Sequence, residues 1–323
     1  MKQFAHMLLL LITCLAFASC EYKDLCYDHN HWVNVRVMFD WSQCEEADPK
    51  GMTVLFYNQE VPGSEPVRYD LVGRDGEMVR LIPGVYRAVA YNYDTETILY
   101  QGMDELSTLE GYTRNSSIEE GTQLTRSGMP RAVSTEQEPV ILEPDILWGA
   151  VSEPFSLMMS DESVTITLHP TPRTIKVDIE IHNVPNLNYT GQFGGALSGL
   201  SPGVMMADGE LADGVATQAF TCQVVDGNTL QMSVRIFGHC SHRDEGDLEQ
   251  HLLTIYAILA DGTKWYHTID VTDKMHNWGD NPDDEEEIHI YLDGLPVPKP
   301  IVNGSGFQPT IDGWKGEEIE VTM

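Results

Sequence analysis

The residues of this 323-residue chain that could hold a metal, form a crosslink or move a proton are eleven histidines, fifty carboxylates and six cysteines. Two imidazole pairs stand close in sequence, His29-Asn30-His31 and His239-Cys240-Ser241-His242. A tetrahedral site of nitrogen and sulfur donors needs further ligands held by regular structure. Spacing offers neither pair a third one, so both read as loop histidines facing solvent. Asp280, Asp283, Asp284 and Glu285 supply oxygens but lack the alternating ligands and central glycine of an EF loop, and read as a solvated acidic turn. No Cys-x-x-Cys, Gly-x-Ser-x-Gly, His-Glu-x-x-His, phosphate loop or dinucleotide fingerprint occurs. A carboxylate pair for glycoside chemistry is set by the fold and cannot be read from spacing. The expectation is a protein that is not an enzyme and carries no metal and no cofactor.

The cysteines say more. Lys2 followed by the apolar run Met7–Phe17 reads as an export signal, because the run is too short to span a bilayer. It ends in Ala18-Ser19-Cys20, which resembles the lipobox of bacterial lipoproteins, although Phe17 stands where leucine is usual. The expectation is a signal peptide over residues 1–19, lipid on Cys20 and a lipidated tether over 20–31. Ordinary secretion with soluble release is the alternative. Glu21 and Asp24 are similar to the acidic tag that sends lipoproteins of the Bacteroidetes to the outer face of the outer membrane.

With Cys14 lost and Cys20 acylated, Cys26, Cys44, Cys222 and Cys240 remain, one pair in each half of the chain. In an oxidising compartment the pairs Cys26–Cys44 and Cys222–Cys240 are candidate disulfides. A loop of this size closed without strain would stabilise by roughly 3 kcal/mol. For Cys222, in mid-strand, a buried thiol is an equal reading.

The elements that must position these groups are strands. The chain is 42% apolar and 21% charged, enough for a large core. Its formal net charge of −31 repels phosphate backbones and anionic lipid, which excludes nucleic acid as a partner. Its 27 glycines and 17 prolines, without a period, suit tight turns between strands. Val33, Val35, Val37 and Phe39 alternate with Asn34, Arg36 and Asp40, the period of a half-buried strand. Met52–Asn58, Val67–Val72, Glu77–Ile82 and Val85–Tyr91 follow between turn signals. A second set is expected at Val164–His169, Ile175–His182, Thr229–Phe237, Leu252–Leu259 and Lys264–Val271. The polar stretch Met103–Glu143 reads as a long loop or interdomain crossing. Val271–Trp278 and Asp104–Glu110 are the short helical candidates. The fold class is therefore all-β, with an N-terminal β-sandwich over 32–150 that includes the loop 103–143, and a C-terminal β-sandwich over 151–323.

Trp32, Trp41, Trp148, Trp265, Trp278 and Trp314, with Tyr86, Tyr91, Tyr93, Tyr100, Tyr256 and Tyr266, could build a sugar-stacking platform or pack the core. Core packing is the expectation for those on alternating strands.

The lipobox followed by Cys26-Tyr27-Asp28-His29, the strand Val33–Asp40, Pro83-Gly84-Val85-Tyr86 and Asp145-Ile146-Leu147-Trp148-Gly149 resemble a fimbrillin-like lipoprotein of Bacteroidales. The order continues with Arg173–His182, Gly195-Ala196-Leu197-Ser198-Gly199-Leu200, Asp270-Val271-Thr272-Asp273, Gly306-Phe307-Gln308-Pro309 and Trp314. The resemblance implies two transthyretin-like antiparallel sandwiches in tandem and a part in type V pili, whose subunits join by donating a strand into a neighbour's groove. That is β-augmentation, an unpaired sheet edge completed by an extended segment. Polymerising subunits of the family are cut after an arginine that follows the first strand. Here Trp41–Gly51 contains no arginine and only Lys50, and Arg114, Arg126 and Arg131 lie in the middle stretch. The resemblance therefore implies a fimbrial anchor or assembly accessory, held to the outer membrane by an N-terminal lipid, facing the cell exterior and binding pilin subunits. The alternative is a surface glycan-binding lipoprotein.

Overall fold

A computed structural model describes residues 31–61, 63–124, 128–159, 162–239, 250–276, 287–300 and 313–318. The regular structure of the described residues is mostly strand, with short helices only, and among them no helix is long and apolar enough to cross a membrane.

The first thirteen elements run β1 (Val33–Phe39), β2 (Gly51–Asn58), β3 (Val67–Val72), β4 (Met78–Leu81), β5 (Gly84–Asn92), β6 (Ile98–Gln101), β7 (Glu110–Thr113), α1 (Ile118–Thr122), β8 (Val140–Ile141), β9 (Trp148–Val151), β10 (Phe155–Leu157), β11 (Ser163–Leu168) and β12 (Thr171–Pro172). Two sheets face each other here. One has the order β11-β1-β4, and the other runs β12-β9-β5-β2-β3 with β10 also on β5. Between them lie Val33, Val35, Val37 and Phe39 of β1, Met52, Val54 and Phe56 of β2, Val79, Leu81, Ile166 and Leu168. The alternation of β1 is thus obeyed residue by residue, with its apolar face inward and Asn34, Arg36 and Met38 outward. β2 is buried on both faces, because Leu55 and Tyr57 point away from this core into a second one.

The chain continues through β13 (Ile175–His182), β14 (Thr190–Leu200), β15 (Gly203–Met205), β16 (Ala216–Thr221), β17 (Gln223–Val225), β18 (Thr229–Ile236), β19 (Leu252–Leu259), β20 (Lys264–Asp270), α2 (Thr272–His276), β21 (Glu287–Asp293) and β22 (Lys315–Glu318). A four-stranded sheet, β17-β18-β13-β21, covers a six-stranded one, β22-β20-β19-β14-β16-β8. Val177, Ile179, Ile181, Leu230, Met232, Val234, Leu253, Ile255, Ile288 and Ile290 fill the space between them.

Two expectations change. Val164–His169 does not open the second set: as β11 it pairs in parallel with β1, Val35 opposite Val164 and Val37 opposite Ile166. The strands that pair with the first set therefore extend to Pro172, past the division expected after residue 150. The stretch Met103–Glu143 is not a crossing without structure. β7 pairs with β6 and with β15 of the second half, and β8 pairs in parallel with β16. Ile118, Leu124 and Met129 cover Ala196, Ala219, Tyr256 and Ile258 on the outer face of the six-stranded sheet. Tyr256 Oη donates to the Pro130 carbonyl at 2.9 Å, anchoring the cover. Gly121 lets α1 lie on the backbone of β16, since a Cβ there would strike the Ala219 carbonyl.

The sheet β15-β7-β6 lies over the other side of β2 and β5, where Leu109, Leu147, Val204, Met206 and Phe237 pack against Leu55, Val89 and Tyr91. Each half of the chain thus covers a face of the other's sheets.

Candidate functional site

The expectation of strand exchange directs attention to the first and last described strands and to the sheet edges. β1 is the middle strand of its sheet. It pairs antiparallel with β4, Val35 opposite Val79, and parallel with β11 along Asn34–Phe39. Four buried side chains on one face and ladders on both sides hold it.

The segment after β1 is fastened as well. Trp41 is buried, its indole Nε1 donates to the Arg74 carbonyl at 2.8 Å, and the Arg74 guanidinium lies 5.3 Å from the ring centroid. Consecutive turns follow, with Cys44 N donating to Trp41 O and Ala47 N to Cys44 O. Lys50 N donates to Asp94 Oδ2 at 3.0 Å. Trp41–Gly51, where the resemblance places the cleavable arginine of polymerising subunits, is a packed turn without one. Of the middle-stretch arginines, Arg114 pairs with Glu120 at 2.5 Å and Arg131 donates to Thr217 Oγ1 at 2.6 Å and to Glu138 O at 2.8 Å. Arg126 lies outside the described residues.

The last strand differs. β22 (Lys315–Glu318) pairs in parallel with β20, Trp265 opposite Lys315 and Thr268 opposite Glu318, and among the described residues it has no second neighbour. Trp314, just ahead of it, packs edge-on against Tyr256 with centroids 5.6 Å apart and lies 6.0 Å from Lys264 Nζ.

The opposite edge of the second sandwich, β21, pairs in parallel with β13 and is lined by charge. Lys176 Nζ sits 2.7 Å from Asp178 Oδ2 and 3.5 Å from Glu287 Oε1. Burial alone would raise the Asp178 pKa, but hydrogen bonds from Lys176 and Ser233 and the Lys176 and His289 charges hold it below the usual carboxylate value. Charged edge strands of this kind resist unwanted pairing. The edge strand β3 of the first sandwich instead exposes Val67 and Val72, the latter 71% accessible.

Of the cysteines singled out in the sequence, Cys20, Cys26 and Cys240 lie outside the described residues. Cys44 is buried, its Sγ 3.6 Å from the Pro170 carbonyl. Cys222 stands beside Met232, sulfur to sulfur 3.8 Å, and burial pushes its thiol pKa well up. Most of the aromatic set packs inward. Trp41 meets Trp148 edge-on at 6.1 Å, Tyr91 stacks on Tyr100 at 4.1 Å, and Tyr86, Tyr256 and Trp265 are buried. Trp32 and Tyr93 are exposed, and Trp278 lies outside the described residues. The acidic run Asp280–Glu285 lies outside them too, as do His29 and His242, but His239 is described and meets two histidines that spacing does not connect to it. They are His251, at the start of β19, and His276, the last residue of α2.

Residues 19–221 match a family model described as a domain of unknown function, DUF5119. A Bacteroides ovatus protein (strain ATCC 8483) whose name makes it a fimbrium anchoring subunit, Fim4B, is 25% identical over 340 residues, covering 96% of each chain. A crystal structure described as that of an adhesin from Bacteroides ovatus ATCC 8483 is similar in fold, with TM-score 0.60 and 22% identity over 82% of this chain and 94% of that one. The fimbrial anchor protein Mfa2 from Porphyromonas gingivalis is also similar in fold, with TM-score 0.51 and 12% identity over 81% of this chain and 90% of that one.

Proposed function

The chain belongs to the family described as DUF5119, a domain of unknown function, and from that membership and the likeness to a named fimbrium anchoring subunit we propose that it is a non-catalytic fimbrial anchor or assembly accessory. A lipid on Cys20 holds it at the outer membrane, facing the cell exterior, and it captures pilin subunits by strand complementation.

The observation that carries this reading is the position of β1. A subunit that polymerises gives up its first strand to open a groove. In this chain that strand is central, paired on both sides, and followed by a packed turn with no arginine. The end near Cys20 therefore stays joined to the folded body, as a tether requires. The exchangeable element is at the other terminus, where β22 holds one edge through a short parallel ladder and can leave it to enter a subunit's groove.

Two measurements test the halves of the reading separately. Palmitate labelling and membrane fractionation of the Cys20→Ala variant are expected to show loss of acyl label and a soluble product; unchanged size and fractionation would overturn the lipid anchor. Deletion of Glu317–Met323 is expected to abolish capture of pilin subunits encoded alongside the protein while the fold is kept. Unchanged capture would overturn the role of the tail.

A further inference from the structure

One end of the second sandwich gathers imidazoles from three separate segments. One ring nitrogen from each of His239, His251 and His276 lies within 4.8 Å of the other two. The ring centroids of His239 stand 5.2 Å from His251 and 5.3 Å from His276, and the last two are 4.9 Å apart. Fixed backbone delivers each ring. His239 is bridged to Leu200 at the end of β14. The amide of His251 donates to Thr272 Oγ1 at 2.9 Å, and its carbonyl accepts from Val271 N at 2.9 Å. His276 follows Met275, which is fully buried and fastens α2 to the core.

His251 is fully buried, and its Nδ1 lies 3.1 Å from the Ser198 carbonyl. A carbonyl accepts only, so Nδ1 carries the proton and Nε2 keeps its lone pair. This outer contact is the kind that orients metal-ligating imidazoles. The backbone beside it adopts a left-handed turn at Gly199, φ +75°, where a Cβ would strike the Gln250 carbonyl and the His251 ring.

From this convergence we propose that His239, His251 and His276 form a three-imidazole binding site for a late first-row divalent cation of the zinc type, independent of any fimbrial role.

The donor set excludes calcium and magnesium, which take oxygen ligands, and suits zinc, which binds imidazole nitrogen at about 2.0–2.1 Å. Tetrahedral geometry at that bond length brings the nitrogens to about 3.3 Å from one another, so separations now within 4.8 Å shorten by up to about 1.5 Å. Ligating imidazoles must be neutral, and burial favours the neutral form of His239 and His251. The net charge of −31 enriches cations around the molecule. The second gathering of donors, Asp178, Glu287 and His289, is exposed or half-buried and already holds the Lys176 ammonium between its carboxylates. It is the internal control. A bound ion would join the segment after β18, the start of β19 and the helix after β20.

The test uses the soluble Cys20→Ala chain, stripped with chelator and equilibrated with micromolar Zn²⁺. Mass spectrometric metal analysis is expected to find one zinc per chain, and Co²⁺ in its place is expected to give the visible absorption of a tetrahedral site. His239→Ala and His276→Ala, both at partly exposed rings, are expected to weaken zinc binding by about 100-fold or more, since even outer-sphere losses cost 10–100-fold. His289→Ala is expected to leave binding unchanged. Absence of zinc and of the cobalt bands in the intact chain would overturn the site, as would full binding in both histidine variants or loss of binding in His289→Ala.

Discussion

The first and last strands of the described residues are both short, yet the fold treats them in opposite ways. β1 lies between two neighbours and buries Val33, Val35, Val37 and Phe39, whereas β22 has a single neighbour and lies at an edge. A strand with two ladders and a buried face leaves only when its sandwich opens. A strand with one short ladder can be replaced at small cost, by another chain or by solvent. The proposed strand exchange would therefore draw on the end that the fold leaves lightly held.

The sharpest attempt to break this contrast is Val35→Asp, which puts an unpaired charge into the first core. It is expected to destabilise by more than about 4 kcal/mol, seen as loss of the cooperative thermal transition, whereas Arg36→Asp on the outward face stays within about 0.5 kcal/mol of wild type. Equal effects at the two positions would show that β1 is not held by its buried face. Next is Trp314→Ala, which removes the edge-on contact with Tyr256. A loss of about 1 kcal/mol is expected, together with faster proteolysis confined to the C-terminal tail. Deleting Glu317–Met323 sharpens the contrast further: the melting transition should keep its shape, with a change below about 1 kcal/mol. Collapse of the second sandwich would put β22 in the same class as β1.

The smallest effect belongs to Asp178→Asn at the β21 edge. Because the folded carboxyl titrates below its ordinary value, its stabilisation is present above pH ~4 and is lost as pH falls through the lower native pKa. The variant should therefore be weaker by about 0.5 kcal/mol at neutral pH, and equal to wild type in strong acid.

How much of this was legible depended on whether one face of an element meets water. β1, β13 and β18 alternate because one side packs and the other is solvated, and their bounds were readable to within a residue. β14 gives no such signal. Its sequence, Thr190–Leu200, carries four glycines, and it is covered on both faces, so neither alternation nor β-branched residues mark it. At Gly194 a Cβ would strike Thr122 behind α1, and at Gly195 it would strike Phe220; the residues that hide the strand from pattern reading are those that let its cover approach. The middle stretch reads as a loop because it is polar, with serine and threonine clusters and Gly121 and Gly128. A capping box was nevertheless present at Ser117-Ile118-Glu119-Glu120, with Ser117 Oγ accepting from Glu120 N at 3.1 Å, and it marks α1. The histidine site was half visible. His239 stood out beside His242, but His251 and His276 are isolated in sequence and are brought to it only by the ends of β14, β19 and α2.

The direction of β1 has a mechanical consequence. A pull on Val33 directed along the strand axis runs at right angles to the hydrogen bonds of the ladders to β4 and β11. Tension therefore loads those bonds side by side, in shear, so that they share the force and none can be peeled away first. The same pull applied at β11 or β4 from the side would open them singly. A body loaded along this strand resists being dragged apart along one axis far more than along the other, which is what the proposed anchoring role would require.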